Sequence, residues 1–144
     1  MKKNQSGVPV ITRSFASREI CPGDTWKIYL HAADPEGDMK TIICAVSQAG
    51  RGSYPVSYVK VPEGQNGELS GFIYLNTGAG QGLSFIHLTL QLEIQDRAGN
   101  LSRPVSFFLA FNPRAEQEIP PPGIFRDEEI GPIMVSLDLA TGGP

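Results

Sequence analysis

The chain has 144 residues, of which 40% are hydrophobic and 19% charged, the size and balance of one ordinary domain with a real core. The net charge is −3 and the lysines and arginines are scattered, which excludes the basic stripe of a nucleic-acid binder. No apolar run approaches the roughly eighteen residues of a membrane-spanning helix, and 16 glycines with 12 prolines favour a turn-rich fold over a helical one.

Met1-Lys2-Lys3 looks like the start of an export signal, but Asn4, Gln5, Ser6 and Gly7 follow in place of an apolar stretch. The expected compartment is therefore extracellular or periplasmic if a signal has been removed, and cytoplasmic otherwise. Val8 to Thr12, or Ile11 to Ile20, supplies a first strand. Period-two alternation then places Trp26, Ile28, Leu30 and Ala32 on one face of a strand, with Lys27, Tyr29 and His31 between them. Ile42, Cys44 and Val46 repeat the pattern. A segment from Ser53 to Val61 has a less clear phase, and another covers Leu69 to Leu75.

The cleanest alternation is Ile86, Leu88, Leu90, Leu92 and Ile94, which a strand puts on one face and a helix would scatter. Val105 to Phe111 is rich in aromatic and branched residues. Clusters such as Cys21-Pro22-Gly23-Asp24, Asp34-Pro35-Glu36-Gly37-Asp38 and Asp96-Arg97-Ala98-Gly99-Asn100 turn the chain between these segments. Several short strands with regular turns predict a β-sandwich or barrel.

Beyond Phe111 the character changes. Pro120-Pro121-Pro122 forms a stiff spacer, and Ile133, Val135, Leu137 and Leu139 alternate in a second strand-like stretch over 132–140. Such a segment can add to a sheet edge, its own or a neighbour's. The four apolar residues are thus candidates for docking on a protein partner or neighbouring domain. The predicted organisation is a sandwich over 8–112, followed by a proline-rich linker and tail over 113–144.

Two passages resemble motifs of bacterial immunoglobulin-like and cadherin-like domains. His31-Ala32-Ala33-Asp34-Pro35-Glu36-Gly37-Asp38 is similar to the link between their second and third strands. Leu92-Glu93-Ile94-Gln95-Asp96-Arg97-Ala98-Gly99-Asn100-Leu101-Ser102 is similar to the link between their last two. The resemblance covers roughly 8–112 and implies an all-β fold, a seven-stranded immunoglobulin-like Greek-key sandwich with an extended C-terminal tail. Two features depart from the family. No cysteine pair joins the second and sixth strands, and the carboxylate-rich linkers of true cadherins are not recognisable. Cys21 and Cys44 are open to either a single disulfide or two free thiols.

That strand assignment brings the two turn motifs to one pole of the sandwich. Asp34, Glu36, Asp38, Asp96 and Asn100 then cluster, and together they supply several of the six to eight oxygens that Ca²⁺ takes. The same residues have a purely local role, capping turns through their own backbone. No other cofactor is expected. His31 and His87 both lie on the polar phase of their strands, and the topology that the resemblance implies puts those strands in different sheets, so the two rings face opposite solvent surfaces and leave no catalytic pair. Trp26 shares the phase of the core, while Tyr54, Tyr58 and Tyr74 are candidates for an aromatic strip. The expected function is a non-catalytic binding or structural module of a bacterial envelope or extracellular protein, acting by protein–protein contact. The alternative is an accessory subunit of an intracellular complex, docked through its tail.

Overall fold

The computed structural model describes residues 7–78 and 86–137. Within them the chain forms ten strands and no helix: β1 (Val10–Ala16), β2 (Glu19–Ile20), β3 (Thr25–Ala33), β4 (Met39–Gln48), β5 (Gly52–Ser53), β6 (Ser57–Lys60), β7 (Glu68–Asn76), β8 (His87–Asp96), β9 (Val105–Phe111) and β10 (Glu129–Pro132). They build two sheets, one of order β1-β3-β7-β10 and one of order β2-β9-β8-β4-β5 with β6 also paired to β4. The expected seven strands become ten because short segments pair separately. The stretch from Ser53 to Val61 splits into β5 and β6 on either side of Pro55, which has no N–H to give a ladder.

The alternation read from the sequence sets the core. Trp26, Ile28, Leu30 and Ala32 of β3 face Ile42, Cys44 and Val46 of β4 and Leu88, Leu90, Leu92 and Ile94 of β8, all buried. Trp26 is 0% exposed, and its indole N–H donates to the Ser17 carbonyl at 2.8 Å, so the one polar atom of the ring is satisfied inside. Cys21 and Cys44 are both free thiols.

The first strand region divides between the sheets. β1 pairs antiparallel with β3, with a bulge between Ile11 and Arg13, and β2 then crosses to pair parallel with β9. β1 reaches only as far as Ile28, and the Gln117 side chain takes over beyond it. Its amide oxygen accepts from the Lys27 N–H at 2.8 Å and its NH₂ donates to the Thr25 carbonyl at 2.8 Å.

The tail is part of this architecture. Phe125 covers the outer face of the four-stranded sheet, with its ring 5.7 Å from Tyr29, which is itself 5.3 Å from Phe72. Tyr29 and Phe72 are buried on a face that would otherwise meet solvent. β10 then adds parallel to the edge of β7, and Ile133 follows it into the core with 4% exposure. The tail strand therefore lies at 129–132, ahead of the stretch expected at 132–140. Val135 and Leu137 are half-buried against the same core; Leu139 lies outside the described residues.

Candidate functional site

The Asp34 turn is built by its own aspartate. The Asp34 carbonyl accepts from the Gly37 N–H at 2.9 Å, and Asp34 Oδ1 accepts from the Glu36 N–H at 3.0 Å. Gly37 sits at φ 70°, where a side chain would be strained. The turn after β8 uses the same device. Asp96 Oδ1 accepts from the Asn100 N–H at 2.8 Å, and Asp96 Oδ2 accepts from the Asn100 side-chain NH₂ at 3.0 Å. The Arg97 N–H donates to the Asp38 carbonyl at 3.0 Å, which ties the two turns into one pole.

Of the five expected oxygen donors, the structure brings three together. One carboxylate oxygen from each of Asp34, Asp38 and Asp96 lies within 4.8 Å of the others. Oxygens on opposite sides of a calcium ion with bonds of about 2.3–2.6 Å lie up to about 5 Å apart, so the spacing fits. Glu36 is exposed and falls outside the cluster, its backbone occupied in the turn. Asn100 spends its amide on Asp96 and braces that carboxylate.

Burial makes the cluster unusual. Asp34 is 3% exposed and Asp96 2%, and Asp34 Oδ2 and Asp38 Oδ1 are buried without a hydrogen-bond partner. Turn capping accounts for Asp34 Oδ1 and for both oxygens of Asp96; the two oxygens left over belong to the Asp34–Asp38 carboxyl pair, which either a shared proton or a bound cation would satisfy. Burial pushes the Asp34 carboxyl above its ordinary value. The Glu36 N–H opposes that rise, while Asp38, through a side-chain hydrogen bond and its charge, and Asp96, through its charge, add to it. Removing two carboxylates from water beside a half-buried third is costly unless a proton or a cation compensates.

The other candidates stand apart. His31 is on β3, where Nδ1 lies 2.9 Å from Thr12 Oγ1 and Nε2 3.5 Å from Glu68; His87 is on β8 of the other sheet. The tyrosines form no strip. Tyr54 is buried, with its hydroxyl bonded to Gln48 Oε1. Tyr58 is 65% exposed beside β4, and Tyr74 belongs to the four-stranded sheet, bonded to Glu129. Alternation along the sequence does not report which sheet a strand joins, so it could not separate them.

Among the described residues no helix is long and apolar enough to cross a membrane. Comparisons of the chain with protein-family models, with curated proteins and with solved structures find no match.

Proposed function

We propose that this chain is a non-catalytic β-sandwich module of a bacterial envelope or extracellular protein, working by protein contact, and that its acidic pole takes Ca²⁺. The observation that carries the reading is the pair of buried, unpartnered carboxylate oxygens, Asp34 Oδ2 and Asp38 Oδ1, within a triad of aspartates. A hard divalent cation fits an all-oxygen donor set, and modules outside the cell bind calcium with Kd of about 10⁻⁴–10⁻³ M. Such a site stiffens one end of a sandwich, which suits a spacer or adhesive unit.

An immunoglobulin-like arrangement is the topology we infer. β1, β3 and β7 take the places of strands A, B and E, and β4, β8 and β9 those of C, F and G. The sheet switch from β1 to β2, with β2 parallel to β9, supports this. β10 occupies the place beside β7 where strand D would lie, but runs parallel to β7. Because Ile133 is spent on the chain's own core, the contact surface of the module is sought in its loops and open edges.

The test is thermal unfolding of metal-stripped protein with and without calcium. At about 10 mM ion and a Kd in that range, linkage gives about 1.4–2.7 kcal/mol of stabilisation. Asp38→Asn should lose most of it. An unchanged melting temperature in millimolar Ca²⁺ overturns the calcium reading.

A further inference from the structure

Lys40, Lys60 and Arg97 are far apart in sequence, and the fold gathers them around one polar cleft of about 290 Å³, shared with Val61, Glu63, Gly64 and Asn66. The backbone explains how. Where β4 pairs with β8, the register shifts between Met39 and Thr41, so Lys40 is the extra residue of a bulge. The Lys40 carbonyl accepts from the Val61 N–H at 2.9 Å, and Lys60 stands opposite Thr41. The bond from the Arg97 N–H to the Asp38 carbonyl brings Arg97 to the same corner, and the Pro62–Gln65 turn, closed at 3.1 Å, forms the far wall.

All three cations are exposed, and among the described residues none has a carboxylate within ion-pair distance. One carboxylate, Glu63, lies on the cleft against three positive groups. Positive side chains held around a concave polar surface repel one another and lower the cost of bringing in an anion. The arginine offers a planar fork matched to two oxygens of one group, and the lysines add point charges. The volume falls at the low end for ligand sites, which suits a group of few heavy atoms over an extended ligand.

We propose that this cleft binds a polyvalent oxyanion, a phosphate or sulfate group. It lies beside the acidic pole but stands on different residues, so it holds whether or not that pole takes calcium.

The test uses the full chain, ¹⁵N-labelled and kept in EDTA, titrated with inorganic phosphate and separately with inorganic sulfate at constant ionic strength set by chloride. Saturating shifts are expected at the amides of Lys40, Lys60, Val61, Glu63, Gly64 and Arg97. The stronger of the two titrations identifies the group. Lys60→Ala with Arg97→Ala should weaken binding by at least about tenfold, the scale of losing charged hydrogen bonds, with the melting temperature unmoved because both residues are exposed. Glu63→Gln should tighten it roughly two- to fivefold, as expected for one exposed charge. Shifts that do not saturate by tens of millimolar, that spread over the whole surface, or that survive the double substitution overturn the proposal.

Discussion

A Cβ placed on Gly71 would lie 2.5 Å from the carbonyl oxygen of Glu128, closer than real contacts allow. The same carbonyl accepts from the Phe72 N–H at 2.9 Å, so the tail is seated against β7 by backbone touching backbone. A glycine in the middle of β7 is thus explained by the segment that comes from the far end of the chain.

Gly71→Ala must push the tail outward, because neither backbone can yield locally. We expect a loss of about 1–3 kcal/mol, the usual cost of overpacking, with faster hydrogen exchange at Phe72 of β7 and at Ile133, whose N–H donates to Tyr74, than at the β7 amides that pair with β3. Gly131→Ala should cost less: its Cβ would be 2.9 Å from a side-chain methyl, Val59 Cγ1, which can move. Equal effects of the two, read by denaturant unfolding, would show that the close approach at Glu128 is not what holds the tail.

Ile133 and Met134 are neighbours with opposite fates, 4% and 74% exposed. Ile133→Ala removes a core side chain and should cost about 2–5 kcal/mol, whereas Met134→Ala should stay within about 0.5 kcal/mol of the parent. Similar small effects at both positions would mean that the tail contributes no core. Chemical denaturation of the two variants decides it.

Cys44 is fully buried, and burial pushes its thiol up to about 12, while Cys21 is half-buried. The thiolate is the reactive form, so at mildly alkaline pH the native protein should take up one alkylating group, at Cys21, and the unfolded protein two. Intact-mass spectrometry after timed labelling reads the count. Rapid double labelling of the native protein would contradict the burial of Cys44.

These contacts divide according to what a sequence can carry. The stripe Leu88, Leu90, Leu92 and Ile94 was legible because one face of β8 is buried and the other is not. β7 shows why the pattern can mislead: Ser70 and Phe72, on its outer phase, are buried too, because the tail and Phe125 lie over that sheet. The stripe Ile133, Val135 and Leu137 was visible, but β10 itself is Glu-Ile-Gly-Pro, chosen by backbone pairing and close approach more than by alternation. Asp34, Asp38 and Asp96 could be named from their turn motifs. Nothing in the motif distinguishes Glu36, which points to solvent, from its neighbours. Lys40, Lys60 and Arg97 look scattered in sequence because a bulge and two loop bonds, none with a local signature, bring them together.

The raised Asp34 carboxyl fixes the sign of a pH effect. A carboxyl that ionises less readily in the folded chain than in the unfolded one leaves folding unpenalised below its ordinary value of 3.8. As pH rises past that value the unfolded chain ionises first, and the Asp34 contribution to stability falls until pH passes the raised folded value, then levels off. Asp34→Asn removes this charge. Its Oδ1 can still accept from the Glu36 N–H, and its NH₂ can donate to the orphaned Asp38 Oδ1. In EDTA at neutral pH the variant should therefore be more stable than the parent by about 1 kcal/mol, with the difference vanishing at acid pH. In calcium the order should reverse, because only the parent keeps the full carboxylate set. Unfolding curves across pH, with and without the ion, separate the two effects. A variant that is less stable in EDTA at neutral pH would show that Asp34 serves the turn alone and is not strained by its charge.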